Sequence, residues 1–137
     1  MEAQKIFKRY EYKYMLTLEQ LAALKELMEQ YMIADVFGRS TICNLYFDTP
    51  QYLLIRRSIE NHVYKEKIRL RTYGQATPET NAFIELKKKY KKVVYKRRIS
   101  ATYEDAMLYL CQRADVIPHS QICSELDYAL SLYQEIQ

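Results

Sequence analysis

The fold is decided by residues 62–99, which read HVYKEKIRLRTYGQATPETNAFIELKKKYKKVVYKRRI. Charged and apolar residues alternate through much of this segment, and a period of two is typical of β-strands, because successive side chains point to opposite faces of a sheet. A stretch rich in turn-forming residues, 74–81, predicts a loop, and residues 90–92 predict a tight connection. We therefore expect three adjacent strands of an antiparallel sheet, over about 62–73, 82–90 and 93–99.

One face of this predicted sheet is almost entirely cationic. Like charges that lie side by side on a sheet repel one another, and solvated faces usually mix the two signs. An ordinary solvated outer face is one interpretation, and a face whose counter-charge comes from a bound polyanion is the other. Glu85 interrupts the row of cations, as would Glu11 if its strand were adjacent. The cationic residues on this face are Lys65, Lys67, Arg69, Arg71, Lys87, Lys89, Lys96 and Arg98.

The remaining segments predict helices and two further strands, so the fold class is α+β. Residues 5–14 alternate and predict a strand. Thr17 and Gln20 have the spacing of a capping box, which marks the start of a helix. Thr102 has the position of another N-cap. The other predicted elements are helices over about 18–30, 50–58, 103–112 and 120–135, and a strand over 41–47.

Composition limits the class of protein. With 137 residues, 49% hydrophobic and only two glycines, the chain has the apolar content of one folded domain, and we treat residues 1–137 as such. Three cysteines without CxxC spacing argue against a disulfide scaffold or a zinc site. We recognise no signal peptide and no apolar stretch of the roughly 18 residues that a membrane span needs. These features predict a cytoplasmic protein without a membrane span.

The distribution of charge predicts an anionic partner. The net charge is only +4, but residues 62–100 hold 12 basic and three acidic residues. There is no Walker A motif and no GxGxxG, so phosphate groups would be bound by side chains that project from strands. Arginine recognises phosphate oxygens through paired donors, and lysine contributes a point charge.

Five segments together resemble the VTC domain, the catalytic domain of the vacuolar transporter chaperone polyphosphate polymerases and of bacterial relatives. That domain belongs to the triphosphate tunnel metalloenzyme, or CYTH-like, superfamily. The resemblance extends over essentially the whole chain, which is similar to the N-terminal half of a VTC domain. The segments are Arg9-Tyr-Glu-Tyr-Lys-Tyr14, Asn44-Leu-Tyr-Phe-Asp-Thr49, Lys67-Ile-Arg-Leu-Arg-Thr-Tyr73, Phe83-Ile-Glu-Leu-Lys-Lys-Lys89 and Lys96-Arg-Arg98.

The resemblance implies an antiparallel barrel that forms a tunnel with inward-facing basic residues. It implies binding of ATP, triphosphate or polyphosphate, a divalent metal (Mn or Mg), and transfer of the terminal phosphoryl group of ATP to a growing polyphosphate. Phosphoryl transfer needs positioning and charge neutralisation more than a covalent catalyst. The implied catalytic residues are Lys87, Arg69 and Arg71. The implied phosphate-binding residues are Lys13, Lys67, Arg69, Arg71, Lys87, Lys89, Lys96 and Arg98.

The metal site is the part of the resemblance that departs from the superfamily pattern. The usual opening signature is ExExK, whereas this chain has Arg9, Glu11 and Lys13 at those positions. Glu11 and Glu85 are the candidate metal ligands, and ion pairing with neighbouring cations is the alternative role for both. The chain ends before the strands that close the tunnel in the family. We therefore expect an open half-barrel. Either the sequence is part of a longer domain or, as we expect, two copies pair edge to edge and complete the tunnel as a homodimer.

Two other functions remain open for the cationic face. The first is a catalytically inactive module that binds polyphosphate. The second is an RNA-binding sheet, in which aromatic side chains would have to share the basic face so that bases stack on them. Nucleic acid is disfavoured, because the alternation places Tyr10, Tyr12, Tyr14 and Tyr95 on the opposite face.

Overall fold

The structure is a computed structural model that describes residues 12–91, 93–133 and 136, and the chain divides into two compact units, Met1–Gly38 and Arg39–Gln137. The described part of the first unit contains one helix, α1 (Leu18–Met28). Thr17 and Gln20 form the predicted capping box, each side chain accepting a hydrogen bond from the backbone N–H of the other. The strand predicted over 5–14 lies mostly outside the described residues, and residues 12–14 are not in a strand.

The second unit contains four strands and three helices, close to the predicted bounds. The last strand continues past its predicted end at residue 99, because Asn81 pairs with Thr102 at the far end of the same ladder. The predicted helix over 120–135 ends earlier, at Leu132. The elements are β1 (Ile42–Phe47), α2 (Leu53–Ile59), β2 (Tyr64–Tyr73), β3 (Asn81–Tyr90), β4 (Val93–Thr102), α3 (Tyr103–Gln112) and α4 (Gln121–Leu132).

The four strands form one antiparallel sheet in the order β1-β2-β3-β4. The α+β class is therefore confirmed. Within the described residues the sheet is open, with β1 and β4 at its edges, and is not a closed barrel. An edge strand exposes unpaired backbone groups that can pair with another strand. The expected homodimer, which would use such edges, stays a prediction.

One face of the sheet is covered by helices and forms the core. Ile68, Ile84 and Leu86 on the strands are fully buried. Leu110 of α3 and Leu126 of α4 belong to the same buried cluster. Because the apolar residues of β2 and β3 alternate with charged ones, burying this face leaves the charged side chains on the other. No helix among the described residues is long and apolar enough to cross a membrane.

Two tyrosine hydroxyl groups donate hydrogen bonds to a glutamate that is buried on the covered face. Glu66 is only 4% exposed and accepts hydrogen bonds from Tyr64 and, at 2.7 Å, from Tyr133. Burial and the bond to Glu66 raise the pKa of Tyr133 to about 12, so its hydroxyl stays protonated and able to donate. This network connects β2 to the residue that follows α4.

The helical layer should be necessary for stability. We expect Leu110→Ala to lower the free energy of unfolding by about 2–5 kcal/mol, because the substitution leaves a cavity between α3 and the sheet. Leu132→Ala is the matched control, since Leu132 is 56% exposed whereas Leu110 is fully buried. Urea unfolding followed by circular dichroism measures both, and equal losses would contradict this description of the core.

Candidate anion-binding face

The candidate site is the sheet face opposite α3 and α4, which we call the open face. Strand register arranges its side chains in rows, of which the first two cross β1 to β4 and the last two cross β2 to β4. Successive rows along a strand are two residues apart, or about 6.8 Å. The rows are Asn44–Arg71–Phe83–Ser100, then Tyr46–Arg69–Glu85–Arg98, then Lys67–Lys87–Lys96, then Lys65–Lys89–Val94.

Glu85 lies at the centre of the open face and binds three cations. Its carboxylate accepts hydrogen bonds from Arg69 Nε at 2.5 Å and Arg98 Nε at 2.8 Å, and its Oε1 lies 3.1 Å from Lys96 Nζ. The side chain is only 1% exposed. A carboxylate can remain charged at such a buried position only when it is paired and hydrogen-bonded. Glu85 therefore neutralises part of the cationic face and ties β2, β3 and β4 together.

The protonation of Glu85 reflects this environment. Burial alone would raise the pKa of the carboxyl group, but the hydrogen bonds from Arg98, Arg69 and Lys96 outweigh it and lower the pKa to about 2. The carboxylate is therefore charged at neutral pH, and its stabilising interactions are lost only in strong acid.

Four lysines beyond Glu85 form a second cluster, the lysine quartet of Lys65, Lys67, Lys87 and Lys89. Register places Lys65 opposite Lys89 and Lys67 opposite Lys87, and like charges in direct opposition are destabilising. Lys65 Nζ donates a hydrogen bond to Asn61 Oδ1 at 2.5 Å. Within the described residues no carboxylate pairs with any member of the quartet. This is the part of the face where an anion would relieve most repulsion.

The lysine quartet lines a cavity of about 170 Å³ together with Ser58 of α2. Asp48 fixes the start of this helix, since its carboxylate accepts hydrogen bonds from the backbone N–H groups of Leu54 and Ile55 at 2.8 and 2.9 Å. The helix that carries Ser58 is thus anchored beside the lysine quartet.

The far side of the Glu85 row carries arginine and aromatic side chains. Arg71 Nε donates to Asn44 Oδ1 at 2.9 Å, and Arg69 Nη1 donates to the hydroxyl of Tyr46 at 3.1 Å. The pKa of the Tyr73 hydroxyl is lowered, mainly by a hydrogen bond from Arg71 and also by Arg98, although burial acts in the opposite direction. Arginine and aromatic groups therefore alternate at this end, in contrast to the lysines at the other.

The predicted site residues fall into three groups. Lys13 belongs to the first unit, in the segment before α1, and Glu11 lies outside the described residues. Sequence reasoning did not select Ser58, Asn44 or Tyr46 as site residues. Their neighbours depend on the strand register and on the position of α2, neither of which alternation predicts. The structure brings the rest together on the open face: Lys67, Arg69, Arg71, Glu85, Lys87, Lys89, Lys96 and Arg98.

A divalent metal does not fit Glu85 in this arrangement. Arg69 occupies Oε2, and Arg98 and Lys96 occupy Oε1, so a metal ion would have to displace these cations. In the described part of the chain no three His, Cys, Asp or Glu side chains are grouped to hold a metal ion. Glu85 has the ion-pairing role that was the alternative for this residue, and the Mn or Mg requirement stays a prediction.

The Glu85 cluster predicts a defined pH dependence of stability. A carboxyl group whose pKa is lowered by folding stabilises the protein above its ordinary pKa, near 4.5, and loses that contribution as the pH falls towards 2. At neutral pH we expect Glu85→Gln to cost on the order of 3 kcal/mol in unfolding free energy, at about 1.4 kcal/mol per pKa unit. The difference from wild type should shrink below pH 4.5, as measured by urea unfolding at a series of pH values.

Glu79→Gln is the control for that experiment, because Glu79 is exposed in the loop before β3. It should differ little from wild type at any pH. A Glu85→Gln penalty that stays constant from pH 7 to pH 3 would contradict the assigned charge network.

Comparison with known proteins identifies the family. The family model described as the VTC domain matches residues 8–137, which is nearly the whole chain. The comparisons with curated proteins and with solved structures find no significant match. The matched range includes β1 to β4 and, among the described residues, the open face that they form. The chain therefore belongs to the VTC domain family.

Proposed function

We propose that the open face binds linear phosphate chains, either the triphosphate of ATP or polyphosphate, and that the domain thereby serves ATP-dependent polyphosphate synthesis. Membership of the VTC domain family is consistent with a polyphosphate-related function. The main observation in support of the proposal is the lysine quartet. Its four side chains line one cavity, and none of them has a carboxylate partner within the described residues.

The electrostatics of the face favour a chain of phosphates over a single small anion. The three central cations are partly neutralised by Glu85, whereas the lysine quartet is not. Lys96 and the two rows of the quartet lie on neighbouring strands, so a ligand with repeated negative charges can contact several ammonium groups at once. Each such charge-assisted contact is stronger than a neutral hydrogen bond.

The arginines retain donors for a phosphate chain. Arg69 uses Nε for Glu85 and Nη1 for Tyr46, and Arg71 uses Nε for Asn44. A guanidinium group has five N–H donors, so these contacts orient each arginine and leave further donors for phosphate oxygens. In the proposed reaction Arg69, Arg71 and Lys87 neutralise charge along the bound phosphate chain, and charge neutralisation is a main requirement of phosphoryl transfer.

Removing a lysine from the open face should weaken phosphate binding. We expect Lys67→Ala and Lys87→Ala each to reduce tripolyphosphate affinity about tenfold, since a hydrogen bond to a charged group contributes about 1.5–3 kcal/mol. Isothermal titration calorimetry measures the affinity, and increasing salt should weaken it through screening of exposed charges.

Lys88→Ala is the matched control. Lys88 lies between Lys87 and Lys89 on the same strand but belongs to the covered face, where its Nζ lies 4.0 Å from Glu125 of α4. An equal loss of affinity in all three variants would show that net charge, and not the open face, determines binding. Tighter binding of single-stranded RNA than of tripolyphosphate would overturn the proposal.

Catalysis is tested by incubating the protein with ATP and Mg²⁺ or Mn²⁺ and measuring polyphosphate and released phosphate. We expect synthesis that Lys87→Ala reduces and Lys88→Ala leaves nearly unchanged. Tight binding without turnover at either metal would instead support a non-catalytic polyphosphate-binding module.

A further inference from the structure

The end of the open face that is farthest from the lysine quartet carries an aromatic corner made by Tyr73 and Phe83. The two ring centroids are 5.9 Å apart and the ring planes meet at 81°. Tyr73 remains 48% exposed, although it belongs to β2, one of the two central strands of the sheet. Two nearly perpendicular rings can contact a flat heterocycle through its face and its edge at once.

The aromatic corner is held in place by the Glu85 network. The guanidinium carbon of Arg98 lies 4.6 Å from the centroid of the Phe83 ring, within the range of a cation–π contact. The same guanidinium group donates to Glu85 Oε1. Phe83 is thereby packed against a side chain that is itself held by a buried carboxylate.

Polar side chains border the aromatic corner. Asn44 Oδ1 accepts from Arg71, and Asn81 Oδ1 accepts from Ser100 Oγ at 2.6 Å. Because the oxygen of each amide is the acceptor in these bonds, each NH₂ group keeps its donors for another acceptor. Such groups suit the ring nitrogens and carbonyl groups of a base, whereas they add little to the binding of phosphate.

The spacing of rows connects this corner to the lysines. The row of Phe83 and the row of Lys87 are four residues apart on β3, or about 14 Å along an extended strand. The Glu85 row, with Arg69 and Arg98, lies between them. A nucleoside triphosphate has the same order of parts, with an uncharged base at one end, a ribose, and an increasingly charged phosphate chain at the other.

We propose that Tyr73 and Phe83 form a nucleobase subsite, which orients a nucleoside triphosphate with its base at the aromatic corner and its terminal phosphate at Lys67 and Lys87. This inference rests on the proposed phosphate-binding function and adds the orientation in which the nucleotide binds. The base stacks on the exposed ring of Tyr73, with the edge of Phe83 beside it. Polyphosphate has no base and uses the cationic rows alone, so the corner distinguishes the two ligands.

A single base is a better occupant of this corner than an RNA strand. Proteins that bind single strands stack successive bases on a series of aromatic side chains along a positively charged groove. On the open face the next aromatic residue, Tyr46, binds Arg69 through its hydroxyl, and beyond it the rows contain lysines. Stacking is tolerant of base identity, so ATP and GTP should bind with similar affinity.

The test compares two ligands that share a triphosphate, ATP and tripolyphosphate, by calorimetry on the 137-residue chain. We expect Tyr73→Ala to weaken ATP about tenfold, which is within the range for loss of one stacked base, and to change tripolyphosphate affinity less than twofold. Tyr73→Phe keeps the ring and should retain ATP affinity, whereas Phe83→Leu should weaken ATP alone. Tyr95→Ala is the matched control, because Tyr95 is a similarly exposed tyrosine of β4 on the other face.

Each outcome decides between the alternatives. Equal losses for ATP and tripolyphosphate in Tyr73→Ala, or no loss for either, would overturn the nucleobase subsite while the phosphate-binding function stands. A wild-type protein that binds neither ligand would overturn the proposed function and the subsite with it. If a single-stranded RNA binds more tightly than ATP and this binding depends on Tyr73, the ligand of the corner is RNA and the proposal is overturned.

Discussion

The buried carboxylate of Glu85 is the interaction on which the open face depends. It brings Arg69, Lys96 and Arg98, which come from strands on either side, to one point of the sheet. Without this negative charge the centre of the face would hold three neighbouring, partly exposed cations, and their mutual repulsion would oppose the strand pairing that the covered face stabilises. The same ion pairs restrain the directions of the two arginine side chains. Glu85 therefore allows several cations to lie close together and also fixes their orientation.

The kind of side chain on the open face changes along the strands on either side of Glu85. On one side of Glu85 the face carries aromatic rings, amides and Arg71, and on the other side it carries lysines without acidic partners among the described residues. Glu85 does not pair with the lysine quartet, whose four charges have no carboxylate partner among the described residues. A ligand with a neutral end and an anionic end therefore has one favourable orientation, whereas a uniform polyanion interacts most strongly with the lysines.

The secondary structure was largely predictable, because its signals are local. Alternation identified β2 and β3 and correctly assigned their faces, and the capping residues Thr17 and Thr102 correctly marked where α1 and α3 begin. Aromatic side chains lie on both faces of the sheet. Tyr95 does lie on the covered side, but Tyr46 and Tyr73 share the open face with the cations.

The sequence by itself determined which side chains share a face, since the two-residue period of a strand assigns every residue to one side or the other. It also determined that one face would be cationic and the other apolar. Only the tertiary structure decided which residues are neighbours across strands, because register depends on how strands and turns pack together and not on the period of either strand alone. That register placed Glu85 between Arg69 and Arg98, opposed Lys67 to Lys87, and brought Tyr73 to Phe83.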